Sequence, residues 1–497
     1  ARREHDALCR IHRAGTDFSG VAPDCTDLAQ ATPHAGTTMP SLQLVFQIVA
    51  GLGPYFLIAI LLAALVGIFL PWGVENPRKW LFLYIIGLAL LPFGGNDPSG
   101  GGSLYKQITW GLLYVLCTVM IARSRKDSKS RDTKFPIELL ILYAFLLATI
   151  IWSEYKVSSF KRYLLLVGLL LIATISSRIS LHSRSFASII DKPLAFFMFC
   201  GVAVAAISPR IAFDSDGALQ AFTSHKNTWG QFMCLCSIVF FNNVLARNNR
   251  TLNIPLLAAS LIVLYLSKSA TSMLAFSFSS CCLLLIHGLS SKNMAGKLAV
   301  LIVVLTSSVA TLVYSIAHGN LPFDALTEMV FKVTDKSTTL TGRTFLWQLM
   351  AAEIKYHPWL GTGFGGFWVG LEGAAGVLVR RLDWGPPTQA HSGYIDVVNE
   401  VGFAGLAMLC IVLLSHFYRI FALYNAENRQ HFSLHFSIFT SFLIINYAES
   451  SFIQGTNIWW IIVTCSIVEV YNRTQEPQSN KTNPIKGKKA SKSLEYI

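Results

Sequence analysis

The sequence predicts an all-α, polytopic transmembrane helical bundle with one large loop, residues 318–393, that carries short amphipathic helices. Composition is the first reason. Of 497 residues 53% are hydrophobic and only 13% charged, with a mean hydropathy of +0.49, which is more apolar surface than a soluble core needs. Spacing is the second: the apolar runs are helix-length and separated by short polar turns, whereas a transmembrane barrel would alternate over segments of roughly ten residues. The third is the stretch 339–405, too polar to cross a bilayer yet set between segments that can, so that it lies on one membrane face or folds back onto the bundle.

In chain order, residues 1–38 are polar, mixed in charge and rich in Gly, Pro, Thr and Asp, without an apolar core of signal-peptide length, and are expected to form a disordered extension. Met39 stands just before the first apolar run, and a native start near it is an alternative. The bundle is expected over 39–471, with spans at 42–71, 79–92, 104–122, 137–152, 161–177, 191–207, 227–246, 252–268, 270–288, 297–317, 394–416, 432–449 and 456–471. That makes roughly 12 or 13 crossings, the short second run being either a span or re-entrant. A basic tail, 472–497, follows.

Basic residues set the orientation. Arg123, Arg125, Lys126, Lys129, Arg131 and Lys134 crowd one connection, which the positive-inside bias places in the cytoplasm. Counting spans from there puts the basic segments at 178–184, 247–250, 290–297 and 419–429, and the lysine-rich tail, on the same side. The segments 152–162, 208–226 and 318–393, and the turns at Lys268 and Glu449, fall outside. The net charge of +13 is thereby explained as an orienting charge and asks for no nucleic-acid partner. Eight of the ten cysteines sit inside apolar runs, where they act as small hydrophobes, so no disulfide framework is assigned. The CLC and CC spacings are a weak metal signal, and the site residues include no metal ligands.

The residues that could carry chemistry collect at the outer ends of the spans. In TGRTFLWQLMAAEIKYHP, Thr341 is a candidate N-cap and Phe345, Leu346, Leu349, Met350 and Ile354 recur at helical spacing, which predicts a short amphipathic helix ending before Pro358. Arg343 in its first turn either binds phosphate together with free backbone N–H groups or is a solvated, snorkelling charge. The following GTGFGGFW, residues 361–368, lacks the GK[ST] of a P-loop and reads as a tight turn re-entering the bundle, with Phe364, Phe367, Trp368 and Trp384 at interfacial depth. His391 marks the start of the next span. Its neutral imidazole could take a proton from a hydroxyl, or it is an ordinary helix-cap histidine, with Asp396 or Glu400 available to orient it. Arg162, Arg210, Lys226 beside Asn227, and Lys268 are cations near the mouth of the bundle, where each either anchors its helix or holds a lipid-linked anion.

Six motifs in order, WSxxxxxSxKR at Trp152, HKNxxG at His225, SKSAT at Ser267, TLTGRTxxW at Thr339, HPWLGTGFGGFW at His357 and AHSGYIDVVNEVGFAG at Ala390, resemble the O-antigen ligase and polymerase superfamily, and within it the succinoglycan-type exopolysaccharide polymerases. The resemblance covers about residues 137–460. It implies a glycosyltransferase of the bacterial inner membrane, active on the periplasmic face, that joins undecaprenyl-pyrophosphate-linked saccharide units without a metal, nucleotide sugar or other cofactor. A flippase and a chain-length regulator are the partners it implies. His391 matches the family's loop histidine, taken to activate the acceptor hydroxyl, while Arg343, Lys226 and Arg162 match basic positions taken to hold the pyrophosphate. Two departures stand out: Ser392 follows His391 where many relatives have Asn, and Lys226 and Lys268 stand where arginine is usual. A ligase moving finished polymer to another acceptor, and a transporter with no enzymatic activity, are the alternatives. The transporter is disfavoured by spans that are mostly uncharged through their centres and by the lack of two repeated halves.

Overall fold

The computed structural model describes residues 77–90, 104–124, 132–183, 185–289, 343–370, 373–379, 388–424 and 428–475, with isolated positions between 294 and 306. The expected extension at 1–38, the span at 42–71, nearly all of the span at 297–317, Thr341, Trp384 and the tail beyond 475 lie outside the described residues. Among the described residues the chain is helical, without a strand beyond one isolated bridge between Phe213 and Leu219. The helices are α1 (Pro77–Leu90), α2 (Leu104–Ser124), α3 (Ile137–Thr149), α4 (Lys156–Ser183), α5 (Ala187–Ile207), α6 (Pro209–Ala212) and α7 (Lys226–Leu245). They continue as α8 (Arg250–Leu266), α9 (Ala270–Leu289), α10 (Arg343–Ile354), α11 (Gly373–Val379), α12 (Gly393–Ala422), α13 (Arg429–Ala448) and α14 (Ile458–Thr474).

Five of these, α4, α5, α7, α9 and α12, are long and apolar enough to cross a membrane, and α1, α2, α3 and α8 are shorter apolar helices. The bundle is built around α7, which packs against α5, α8, α9 and α13, while α14 packs against α4 and α12 against α3. Small hydroxyls and amides join the helices where they meet, as in membrane bundles that lack a hydrophobic drive between helices. Ser237 Oγ donates to Ser260 Oγ at 3.0 Å, Ser441 Oγ donates to Ser279 Oγ at 3.0 Å, and Asn243 meets Asn253 at 3.3 Å. Large apolar side chains instead face outward on α5 (Phe196, Phe199, Ile207), α8 (Ile262, Tyr265) and α12 (Ile411, Leu414, Tyr418). This is the arrangement expected of helices that meet lipid on one side and protein on the other.

The structure brings together at one end the termini that the span count assigns to the outer face. Trp152 donates to the carbonyl of Leu360 at 3.3 Å, and the N–H of Leu219 reaches the Leu266 carbonyl at 2.8 Å. At the opposite, basic end, the Lys134 N–H donates to Asn472 at 3.0 Å and Arg429 donates to the His287 carbonyl at 3.0 Å. Arg419 pairs there with Glu138.

A kink in α12 seats the glycine-rich turn. Gly402 has φ 69 and ψ −175, a conformation open essentially only to glycine, so the helix bonds that Phe403 and Ala404 would make to Asn399 and Glu400 are interrupted. Residues 358–363 replace all of them. Phe403 and Ala404 donate to the carbonyls of Pro358 and Trp359 at 2.8 and 3.1 Å, while Thr362 and Gly363 donate to the carbonyls of Asn399 and Glu400 at 3.0 and 2.8 Å. The paired motifs HPWLGTGFGG and NEVGFAG are thus the two halves of one backbone exchange, which satisfies the four groups that the kink frees at Asn399, Glu400, Phe403 and Ala404.

Candidate functional site

The predicted amphipathic helix is α10, which begins at Arg343. Leu346 and Met350 are buried in a small cluster with Phe367, Trp368, Ala375, Leu378 and Ala390, so α10 lies on the bundle. Phe345, expected on the same face, is exposed. Phe364, Phe367 and Trp368 are also buried within the protein, because the kink exchange pulls the glycine turn into it. Exposed aromatics at this end include Trp152, Phe345, Tyr356, Trp359 and Phe403.

Glu449, which follows the last residue of α13, is the meeting point of the site. Its side chain is 8% exposed and accepts from Arg343 Nη2 at 2.9 Å and Asn227 Nδ2 at 2.5 Å on one oxygen. Gln389 Nε2 at 3.3 Å and His391 Nδ1 at 3.5 Å face the other oxygen. Burial would push this carboxyl up, but the contacts from His391, Arg343 and His225 outweigh it and hold it below the usual glutamate range. Arg343 also donates through Nη1 to the Ala448 carbonyl at 2.6 Å, so the guanidinium caps the C-terminus of α13 while pairing with its terminal carboxylate. Asn227 enters from the first turn of α7, where His225 caps the helix by accepting from the Asn227 N–H at 3.1 Å.

His391 precedes Ser392, the N-cap of α12, and is held with φ 52, a left-handed conformation that a non-glycine residue adopts at a cost of order 1 kcal/mol or more. Its neighbour supplies the restraint. The N–H of Ala390 donates to both oxygens of Asp396 at 3.1 Å, and the Ala390 carbonyl accepts from Trp347 Nε1 at 2.8 Å. Asp396 further accepts from Trp368 Nε1 at 2.7 Å and from Ser450. With Nδ1 directed at Glu449 and the side chain 21% exposed, the imidazole can present Nε2 to an incoming group.

The supporting roles divide differently from the sequence expectation. Neither Asp396 nor Glu400 is the carboxylate that meets His391. Asp396 fixes the loop before it, and Glu400 accepts from the Gly365 N–H at 3.0 Å and lies 3.8 Å from Arg162. The reason is helical spacing: one turn of α12 turns these carboxylates toward the glycine loop, while Glu449 comes across from a neighbouring helix end. Arg162 donates to the Trp368 carbonyl at 2.5 Å and packs where a Cβ on Gly365 would stand 2.6 Å from its Cδ, so arginine and glycine turn are fitted to one another. Lys226 is neutralised by Asp214 at 3.0 Å and Asp216 at 2.7 Å, and the Asp216 carboxyl is held low mainly by that hydrogen bond and charge. Lys268 Nζ donates to the Asp216 carbonyl at 2.9 Å. Arg210 is exposed, without a side-chain hydrogen bond or ion pair among the described residues.

The sequence reading gave no site role to Glu449, Gln389, Trp347 or Trp368, although Trp347 closes the TLTGRTxxW motif and Trp368 the glycine turn. The signal for Glu449 was an acid in a short outer turn between two apolar runs. Gln389, Trp347 and Trp368 act through backbone and side-chain contacts that no spacing reveals.

Residues 255–410 match the O-antigen ligase family. The exopolysaccharide production protein ExoQ of Rhizobium meliloti (strain 1021) is 32% identical over 93 residues, 18% of this chain, and the match spans 21% of that relative's length. The matched family segment holds Lys268, Arg343, Gln389, His391, Asp396 and Glu400, while Arg162, Lys226, Asn227 and Glu449 join them from outside it. With these residues in the fold just described, the chain is a polytopic membrane protein whose residues 255–410 are similar to the O-antigen ligase family and a shorter stretch of which is similar to an exopolysaccharide production protein.

Proposed function

We propose that the protein joins saccharide repeat units carried on undecaprenyl pyrophosphate into an exopolysaccharide, at the periplasmic face of the bacterial inner membrane. The convergence of Arg343, Asn227, Gln389 and His391 on the buried Glu449 carries this reading, because it builds an oriented base beside a guanidinium. In the proposed step the acceptor hydroxyl oxygen attacks the anomeric carbon of the lipid-linked sugar. The bond from that carbon to the pyrophosphate oxygen breaks, the oxygen keeps the electron pair, and His391 Nε2 takes the hydroxyl proton. Glu449 holds Nδ1 and stabilises the imidazolium that forms.

A pyrophosphate departs readily once its charge is met, so orientation, a base and cations suffice for this chemistry. Arg343 has five N–H donors and commits one on each Nη to Ala448 and Glu449, which leaves three N–H donors that an anion could accept from. Arg162, Lys226, Lys268 and Arg210 lie at the same end of the bundle and form the wider basic rim, supported by Asn227, Asp396 and Glu400. A flippase and a chain-length regulator are the partners such a polymerase needs.

The family description favours one second reading, a ligase that moves finished polymer to another acceptor. Sizing undecaprenyl-linked glycans in a deletion strain separates the two. Single lipid-linked repeats should accumulate if the chain polymerises, and full-length lipid-linked polymer if it ligates. Accumulation of neither would remove both readings.

A further inference from the structure

We propose that His431, His435 and Glu469 form a binding site for one divalent transition-metal ion of the zinc class, at the basic end of the bundle and away from the transfer site. His431 and His435 are one turn apart at the start of α13, so they share a helix face. Glu469 stands opposite, near the end of α14, and the two helices pack together. One ligand atom from each of the three residues lies within 4.8 Å of the others. Ligand atoms around a tetrahedral zinc ion stand about 3.3 Å apart, so the cluster is an open form of that geometry, reached by small side-chain rotations.

The orphaned atoms point to an ion rather than to a salt bridge. His435 Nε2 and Glu469 Oε2 are each completely buried, 3.9 Å apart, and neither has a hydrogen-bond partner. At that distance no hydrogen bond joins them, whichever tautomer the ring adopts, and two unsatisfied buried polar atoms facing one another are costly. An ion between them satisfies both.

The remaining atoms of the same side chains are already fixed. His435 Nδ1 is paired with Ser466 Oγ at 2.8 Å, and Ser466 Oγ with His416 Nε2 at 3.2 Å. Glu469 Oε1 accepts from Arg473 Nε at 2.8 Å and from Ser180. Outer partners that hold the far side of each ligand and leave one atom free are the usual setting of a metal site. The ion would pin α13 to α14. His435 lies near the start of α13 and Glu449 just past its end, 14 residues and about 21 Å along the helix axis, so the site is structural and takes no part in sugar transfer.

The test uses the full chain, purified in detergent, stripped with a chelator and dialysed against zinc chloride, with bound metal counted per chain. Wild type should hold about one ion, show a higher melting temperature with zinc, and give the visible absorption of a tetrahedral nitrogen and oxygen site with cobalt(II). His431→Ala alters the half-buried ligand, keeps the fold by circular dichroism and gel filtration, and should weaken binding at least about 10-fold; Glu469→Gln should do the same. Fewer than about one ion in ten chains for the wild type, or unchanged binding in folded His431→Ala, overturns the proposal. Neither readout involves glycan synthesis, so failure here leaves the proposed function untouched.

Discussion

Replacing Glu449 by glutamine keeps the shape of the meeting point and removes its charge. The Gln side-chain oxygen can still accept from Asn227 and Arg343, so the fold loses one ion pair at a site 17% and 8% exposed. Breaking a fully buried pair costs about 3–5 kcal/mol, and the retained hydrogen bonds and partial exposure reduce this to about 1–3 kcal/mol. The catalytic loss should be larger. At the 3.5 Å between His391 and Glu449, two unit charges attract by about 5 kcal/mol at an effective dielectric of 20, an upper bound on the help given to the imidazolium. One charge-assisted hydrogen bond, about 1.5 kcal/mol, is the lower bound. At 1.36 kcal/mol per decade these limits correspond to a fall of between about 10-fold and about 5 × 10³-fold in kcat/KM. The assay is polymer formed per folded protein in membranes, normalised by immunoblot. Wild-type polymer from well-expressed Glu449→Gln would refute the oriented-base reasoning.

The other outcomes follow from the same contacts. Gly402→Ala would place a Cβ 2.2 Å from the Trp359 backbone and break the four-bond exchange, at about 1 kcal/mol per bond, so folded protein should fall sharply, whereas Gly111→Ala on open helix should not. An unchanged melting temperature for Gly402→Ala would contradict the kink account. Arg343→Lys keeps the charge but cannot bridge Ala448 and Glu449 with one planar fork, and should lower activity about 3- to 30-fold; full activity would reduce Arg343 to a point charge. Because the folded Glu449 carboxyl is held below its ordinary value of 4.5, its contribution is fully present above that pH and is lost only as pH falls through the lowered value. The difference in melting temperature between wild type and Glu449→Gln should therefore be flat from about pH 5 to 8 and shrink below about 4; a difference that shrinks near neutrality would contradict the assignment.

Most of the scaffold was legible because its signals are local. The apolar runs at 137–152, 191–207, 227–246 and 270–288 appear as α3, α5, α7 and α9 within a few residues. The helix at Arg343 was readable from apolar spacing, and His391 from its place at a span start. What stayed hidden depends on chain separation. Glu449 reaches Arg343 across 106 residues and Asn227 across 222, and only packing of α7, α10 and α13 brings them together. The burial of the glycine-turn aromatics stayed hidden for a related reason: it follows from the exchange with Gly402, and a turn read alone gives no sign of the kink that receives it. The pairing of Lys226 with Asp214 and Asp216 was not foreseen because these partners lie in an irregular segment without periodicity.

The most direct test is transfer by the purified, reconstituted protein supplied with undecaprenyl-pyrophosphate-linked repeat units, comparing wild type with His391→Ala at equal folded amounts. A ladder of lengthened lipid-linked glycans from wild type, with release of undecaprenyl pyrophosphate, and a loss of at least about 10² in rate for His391→Ala are the predicted results. A ladder of equal rate and length from folded His391→Ala would contradict the account.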